Sequence, residues 1–314
     1  MNDDPQPQTA ALPQPQRAGD WKAILRDLGV TPSRRMGQNF LVDRDVLAEI
    51  VATAAVQGGE TVIEVGPGLG ILTAALAEAV GPVGRVVGVE LDKRLAPYLQ
   101  TVYAAVPQVT IVQQDILRVA PDDLVGETPY VVVANLPYQI TSAVFRHFLE
   151  AAHPPQQITV LVQREVAQRI AAQPPEMSVL AVAIQFFAAP RIVGIVPPEA
   201  FVPRPEVHSA ILTLMVGAPP LPRERWRGFF ALVQAGFGAK RKQIHNSLTD
   251  RLRLPREAVS AMLDAAGIDG MRRAQTLALD EWLALDRAAL AQKISLSDAM
   301  GRRVGAEAGD DAGS

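Results

Sequence analysis

The chain has 314 residues, 48% of them hydrophobic, and a formal net charge of −3, so it can bury a sizeable core and hold two domains. It contains no cysteine, which excludes disulfides, a thiolate nucleophile and a thiolate metal site. Residues 1–20 lack the apolar core of a secretory signal, and no apolar run approaches the ~20 residues of a membrane-spanning helix, so a cytoplasmic protein without membrane association is expected.

Both ends of the chain have the composition of disordered tails. Residues 2–20 are rich in Pro and Gln, and residues 303–314 are rich in Gly, Ala and Asp. Such segments hold too little apolar surface to build a core. We therefore predict tails at 1–20 and 303–314, an α/β domain over 21–216 and a helical domain over 221–290.

A glycine-rich loop connects a predicted strand to a predicted helix. Residues 64–70 read Glu-Val-Gly-Pro-Gly-Leu-Gly, between the strand-like residues 61–63 and the helix-like residues 71–80. This order is typical of the first turn of a nucleotide-binding α/β fold. Gly66 and Gly68 would let the backbone approach a ligand closely, because they carry no Cβ. A tight strand–helix turn without a ligand is the alternative.

Two carboxylates follow at the ends of the next predicted strands. Residues 85–91 read as a buried strand with Glu90 at its carboxyl end, and residues 109–115 as a third strand ending in Asp115. Ligands bind outside the carboxyl ends of parallel strands. Glu90 could accept hydrogen bonds from ribose hydroxyls, and Asp115 from an adenine amino group with Ile116 packing on the ring. Solvated strand ends or a helix N-cap are the alternatives.

The tetrapeptide Asn-Leu-Pro-Tyr occupies residues 135–138. Asn135 offers a side-chain carbonyl, Pro137 stiffens the turn because its φ is fixed, and Tyr138 offers an aromatic face. The amino group on adenine C6 is a poor nucleophile, since its lone pair is delocalised into the ring. Asn135 Oδ1 and the carbonyl of Leu136 or Pro137 could hold its two N–H bonds and localise that pair. The motif predicts methylation of a base amino group; an ordinary strand-ending turn is the alternative.

Later segments complete the predicted architecture. Strands are predicted at 158–163, 184–188 and 210–216, in a mostly parallel sheet with helices on both faces. Residues 217–222 hold four prolines or glycines and read as a linker. Helices are predicted at 223–237, 240–252, 256–266 and 280–290.

The segment 221–275 is basic although the whole chain is not. It holds eleven Lys or Arg and five Asp or Glu, a net charge of about +6. Such residues could contact RNA phosphates and make binding salt-dependent. A solvated helical face is the alternative. The four histidines are far apart and show no ligand spacing, so no metal site and no zinc deaminase is expected.

Together these motifs resemble those of the ribosomal RNA adenine N6,N6-dimethyltransferases of the KsgA type, which use S-adenosylmethionine. The resemblance runs from about residue 28 to about residue 285. It rests on residues 37–41, 64–70, 88–90, 114–116, 135–138, 162–167, 201–205 and 237–248. It implies a Rossmann-like methyltransferase sheet with a small all-helical C-terminal domain. It also implies dimethylation of two adjacent adenosines near the 3′ end of small-subunit (16S) rRNA, by a monomer that takes part in small-subunit biogenesis.

The resemblance implies roles for individual residues. The first three members of the cofactor set would close over the methionine end, the glycines would line it, and the two carboxylates would hold the ribose and the adenine. That set is Gln38, Asn39, Leu41, Gly66, Gly68, Glu90, Asp115, Ile116 and Asn135. In the catalytic set the asparagine orients the amino group, the tyrosine stacks on the base and the phenylalanine stacks opposite or walls the pocket. That set is Asn135, Leu136, Pro137, Tyr138 and Phe201.

The chain departs from the family pattern at residues 140–141, at 177–180 and at His208, where Asp is usual. These positions concern loop geometry and RNA contacts near 173–180. Three other functions compete. They are an Erm-type enzyme acting on large-subunit rRNA, a non-catalytic assembly factor, and an NAD-dependent dehydrogenase. Intact residues 135–138 argue against the second and are unexplained by the third.

Overall fold

A computed structural model describes residues 21–31, 39–294 and 296. The predicted tails 1–20 and 303–314 lie outside the described residues, as does Gln38. The strands are β1 (Phe40–Leu41), β2 (Thr61–Val65), β3 (Arg85–Glu90), β4 (Val109–Gln113), β5 (Tyr130–Asn135), β6 (Gln157–Gln163), β7 (Ala188–Val196), β8 (Phe201–Val202) and β9 (Ser209–Val216).

One or two α-helices lie between successive strands from β1 to β7, and α9 to α12 follow β9. They are α1 (Trp21–Asp27), α2 (Arg44–Ala54), α3 (Ile71–Val80), α4 (Leu95–Val102), α5 (Pro121–Val125), α6 (Thr141–Leu149), α7 (Arg164–Ile170), α8 (Val179–Gln185), α9 (Arg223–Phe237), α10 (Ile244–Leu252), α11 (Arg256–Ala265) and α12 (Leu279–Ala291). In the part of the chain that the structure describes, none of these helices has the length and apolarity to span a membrane.

Seven strands form one sheet in the order β4-β3-β2-β5-β6-β9-β7. Strands β2 to β6 pair in parallel, and β9 pairs antiparallel with β6. All five residues of β2 are buried, as the near-continuous apolar run of a central parallel strand requires. The strand order reverses between β2 and β5. Sheets of this kind bind ligands in a crevice at such a reversal, beside the carboxyl ends of the two strands. The predicted α/β class and mostly parallel sheet are confirmed.

The described residues divide into two compact units. The first holds the residues up to Ala167 together with Ala189–Gly217, and so contains the sheet. The second holds Gln168–Ala188 and the residues from Ala218 onward, and it contains α8 to α12. Residues 168–188 thus group with the C-terminal helices, although the sequence places them within 21–216.

Aromatic packing explains this grouping. The rings of Phe186 and Phe187 lie edge-on to Trp226, with centroids 6.1 and 4.9 Å away. Phe186 also packs against Phe229 and Phe230, with centroid distances of 4.9 and 5.1 Å. Aromatic side chains bury large apolar areas, so the packing of these rings against one another holds the two segments together.

The strand predicted at 184–188 was wrong. The structure has α8 up to Gln185, and β7 begins only at Ala188. Ser178 caps this helix, because its Oγ accepts a hydrogen bond from the N–H of Ala181 at 3.1 Å. A short apolar run fits a buried helix and a buried strand equally well, and the cap decides between them.

Candidate active site

A cavity of about 280 Å³ opens at the carboxyl ends of β2, β3 and β5 and beside the loop that follows β4. It collects nearly every site residue predicted from the sequence. The members that line it are Asn39, Leu41, Gly66, Gly68, Glu90, Asp115, Ile116, Asn135, Leu136, Pro137 and Tyr138. Gln38 lies outside the described residues, and Phe201 is not part of the lining.

The glycine loop shapes the floor of the cavity. Gly66 and Gly68 have φ values of +67° and +61°, a left-handed conformation that L side chains rarely adopt. A Cβ on Gly66 would meet no atom within 4 Å and would project into open space. A Cβ on Gly68 would lie 3.1 Å from the ring of Phe40. Both positions therefore favour glycine for the backbone conformation, and Gly68 also for the space.

Glu90 ties this loop to the end of β3. Its Oε2 accepts a hydrogen bond from the N–H of Gly68, and its Oε1 accepts one from the N–H of Asp92, both at 2.9 Å. Glu90 is buried, and this burial raises the pKa of its carboxyl. Each oxygen keeps a further lone pair, so the carboxylate can still accept hydrogen bonds from two ligand hydroxyls.

Glu64 is a lining residue to which the sequence analysis gave no role. It is only 1% exposed at the end of β2, and its Oε2 accepts a hydrogen bond from Thr73 Oγ1 at 2.6 Å. Burial raises its pKa to about 8, and the nearby Glu90 adds to the shift. Burial therefore favours the neutral, protonated form of Glu64. A charged residue at the end of an apolar strand, directly before the glycine loop, was the signal for it.

Asp115 follows β4 and caps a short helix, which was the alternative interpretation of this residue. Its Oδ1 accepts the N–H of Leu117 at 3.0 Å, at the start of a short 3₁₀ helix, Ile116–Arg118. Its Oδ2 lies 3.6 Å from Arg118 Nε. Asp115 and the buried Ile116 both line the cavity. A cap uses only part of a carboxylate, so the predicted role toward an adenine stays a prediction.

Asn135 is held in one orientation at the end of β5. Its Nδ2 donates to the carbonyl of Asn39 at 2.8 Å, and this orientation makes Oδ1 the acceptor that remains. The carbonyl of Pro137 already accepts hydrogen bonds from the N–H of Ile140 at 3.2 Å and from Thr141 Oγ1 at 3.4 Å. Among the described residues, no hydrogen bond to the carbonyl of Leu136 occurs. Of the two backbone acceptors left open by the sequence, Leu136 is thus the available one.

Tyr138 is half-buried and anchored at two points. Its hydroxyl lies 2.9 Å from Ser209 Oγ, the first residue of β9. Its backbone carbonyl accepts a hydrogen bond from Thr141 Oγ1 at 3.2 Å. Burial raises the pKa of its phenol, so the hydroxyl stays protonated. No sequence signal pointed to Ser209, because its proximity depends on the pairing of β9 with β6.

The structure places Phe201 in the core and not against the cavity. Phe201 is 2% exposed and pairs with Leu41 across the two-stranded ribbon of β8 and β1. It belongs to an apolar cluster with Val133, Leu161 and Ile211. Its ring therefore supports the strand that carries Leu41, and its predicted stacking on a base stays a prediction that this packing does not favour.

Most of the chain is similar to known proteins. The sequence model of the family "Ribosomal RNA adenine dimethylase" matches residues 31–289. "Ribosomal RNA small subunit methyltransferase A" of Dehalococcoides mccartyi is 40% identical, over 87% of this chain and 94% of the relative. Its counterpart in Alkaliphilus metalliredigens is 37% identical, over 87% of this chain and 96% of the relative.

Solved structures of an rRNA methyltransferase and a dimethyladenosine transferase are also similar to this chain. The 23S rRNA methyltransferase ErmE has a TM-score of 0.65 and 31% identity, and the match covers 80% of this chain and 99% of ErmE. A dimethyladenosine transferase from Plasmodium falciparum has a TM-score of 0.70 at 20% identity, covering 82% and 99% of the two chains, and shows the fold alone. The chain belongs to the ribosomal RNA adenine dimethylase family.

Proposed function

We propose that the protein uses S-adenosylmethionine to dimethylate the N6 amino groups of two adjacent adenosines near the 3′ end of 16S rRNA, during biogenesis of the small ribosomal subunit. The anchored amide of Asn135 carries the chemical part of this proposal, because it presents one fixed acceptor beside an available backbone carbonyl. The relatives named for the small subunit support the choice of substrate.

The residues of the cavity fit S-adenosylmethionine. Open space beside Gly66 leaves room for a ligand that a Cβ would fill. Glu90 offers carboxylate oxygens to ribose hydroxyls, and the apolar side chains of Ile116 and Leu91 line the cavity where an adenine ring would lie. Leu91 is 55% exposed in this structure, and covering it would add to the binding energy.

In the proposed mechanism, protein residues position the reactants and no strong base is needed. S-adenosylmethionine, when bound, supplies an electrophilic methyl group. In the first transfer Asn135 Oδ1 and the Leu136 carbonyl accept hydrogen bonds from the two N–H groups of the target amino group, so its lone pair localises on nitrogen. The nitrogen would take the methyl group, the carbon–sulfur electron pair would leave with the sulfur, and the nitrogen would then lose one proton to water or a carbonyl. The Tyr138 ring stacks on the base and stabilises passing positive charge.

The second unit would supply contacts to the RNA. Lys240 and Arg241 are exposed just before α10, whereas Lys242 is paired with Asp250 at 2.7 Å. Phosphate contacts of this kind position a substrate without reading its sequence. The target adenine must leave its stack to reach the cavity. We expect a monomer acting on a small-subunit particle.

Transfer of labelled methyl from S-adenosylmethionine to unmethylated small and large ribosomal subunits tests the proposal. We expect N6,N6-dimethyladenosine in small-subunit rRNA, at two adjacent positions near the 3′ end. Label in the large subunit alone would instead assign the Erm-type activity, which the likeness to ErmE keeps as the second candidate. Cofactor binding without transfer to either subunit would favour a binding-only assembly role.

A further inference from the structure

Ser209 is a buried serine that the topology of the sheet brings to the cavity. It is 0% exposed and is the first residue of β9. Because β9 runs antiparallel to β6, Ser209 pairs with Gln163, the last residue of β6. β9 therefore begins at the sheet edge where β5 and β6 end, and its first side chain lies beside the residues that follow Asn135.

The Ser209 hydroxyl has a specific partner there. Its Oγ lies 2.9 Å from the hydroxyl of Tyr138, and this is the side-chain hydrogen bond that the structure describes for Ser209. A buried hydroxyl loses free energy when it has no partner, so this contact favours one orientation of the tyrosine ring. Thr141 holds the backbone of the same residue through its carbonyl. The ring is thus held at its tip and at its base.

We propose that Ser209 is a positioning residue for methyl transfer, which fixes the Tyr138 ring in the orientation that stacks on the target adenine. The inference rests on the proposed function. Asn135 is anchored in a parallel manner, by the carbonyl of Asn39. Both functional side chains of the tetrapeptide are therefore held by residues distant in sequence. A ring free to turn would stack in several orientations, and fewer bound complexes would align the amino group with the methyl group.

Substitutions on both sides of the hydrogen bond test this role. Ser209→Ala removes the anchor and Tyr138→Phe removes the hydroxyl that it holds. We expect each to lower kcat on unmethylated small subunits by roughly fivefold to tenfold. The affinity for S-adenosylhomocysteine, measured by calorimetry, should stay at the wild-type value, because neither hydroxyl takes part in the proposed cofactor contacts. The double variant should lose no more than the slower single variant, since both remove one interaction.

Thr213→Val is the matched control. Thr213 lies on the same strand, is 2% exposed, and its Oγ1 accepts a hydrogen bond from Gln157 Nε2 at 3.1 Å. This variant loses a buried, hydrogen-bonded hydroxyl in the middle of β9, outside the cavity lining, and kcat should stay within about twofold of wild type. An equal loss in this variant and in Ser209→Ala would assign Ser209 a purely structural role and overturn the inference.

The remaining outcomes separate the two proposals. Wild-type kcat in Ser209→Ala, or losses that add in the double variant, would overturn the inference while the proposed function stands. If Ser209→Ala does not fold, Tyr138→Phe carries the test alone, and wild-type kcat in that variant is equally decisive against it. Failure of the wild-type protein to methylate either subunit would overturn the proposed function and this inference with it.

Discussion

The two sides of the cavity are built from different chemistry. The acidic side chains of Glu64, Glu90 and Asp115 lie near the ends of β2 and β3 and in the turn after β4, and burial favours the neutral form of Glu64. β5 ends in the neutral amide of Asn135, and β9 begins with the hydroxyl of Ser209. Carboxylates suit a ligand rich in hydroxyl and amino donors. Neutral acceptors suit the target amino group, because it keeps its protons until its nitrogen has bonded to the methyl group. No strong base is needed for that step.

The largest effect is expected on the neutral side. Asn135→Ala removes the fixed acceptor, and we expect kcat to fall by roughly 10²–10³, as for other single groups that stabilise a transition state. Although Asn135 is also in the predicted cofactor set, its acceptor is assigned to the target amino group, so cofactor affinity should change far less than kcat. Methyl transfer to small subunits and calorimetry measure the two quantities. Asn246→Ala in α10, which removes an asparagine that does not line the cavity, is the control. Turnover near the wild-type rate would remove Asn135 from the mechanism.

Glu64→Gln tests how the carboxylate side responds to pH. Folding raises the pKa of Glu64 from 4.5 to about 8, so the native state keeps a proton that the unfolded chain releases. The free energy of unfolding of the wild-type protein should therefore fall as pH rises from about 4.5 to about 8. Glutamine mimics the neutral acid, and its advantage over wild type should grow by about 2–4 kcal/mol across this window.

Denaturant unfolding at pH 5 and pH 8 measures this difference. Glu60→Gln, at the residue just before β2, makes the same substitution outside the cavity lining and is the control. A constant difference between Glu64→Gln and wild type at both pH values would mean that Glu64 is ionised in the folded protein.

Glu90→Ala is expected to act on the cofactor. The substitution removes the acceptor for ribose and also the anchor of the Gly68 N–H. We expect the affinity for S-adenosylhomocysteine to fall by roughly 30–100-fold, since hydrogen bonds to charged groups are the stronger ones. Glu150→Ala, which breaks an ion pair with Arg146 on α6, is the control. Unaltered affinity by calorimetry would contradict the ribose role.

Asp115→Ala should have the smallest effect of the four. Its carboxylate already caps the 3₁₀ helix, so only part of it is available to a ligand. We expect roughly threefold to tenfold weaker binding of S-adenosylhomocysteine. Asp115→Asn keeps a capping oxygen and is the matched variant. Equal weakening in both would point to a contact with the ligand, whereas weakening in alanine alone would point to the cap.

Much of the site was predictable because parallel strands deliver their carboxyl ends to one edge. Glu90, Asp115 and Asn135 each follow an apolar run, and this pattern alone predicts that they meet. Ser209 and the Asn39 carbonyl were not predictable in this way. One depends on an antiparallel pairing and the other on a backbone atom, and neither leaves a residue pattern. Phe201 shows another limit of sequence analysis. Its position in a motif does not reveal whether its ring faces a cavity or the core.

The fold was predictable to a similar depth. Helix α9 begins and ends where the sequence predicts, because a proline precedes it and its apolar positions recur with helical spacing. The assignment of residues 168–188 was not, since the packing partners of Phe186 and Phe187 lie beyond β9 in the sequence.

That discontinuity has a consequence for synthesis of the protein. Phe186 and Phe187 leave the ribosome before Trp226, Phe229 and Phe230, with the whole of β7 and β9 in between. Until α9 follows, the nascent chain carries two aromatic rings without the partners that bury them. Chains at this stage expose apolar surface and are prone to association. The second unit can therefore be completed only after the last strand of the sheet has been made.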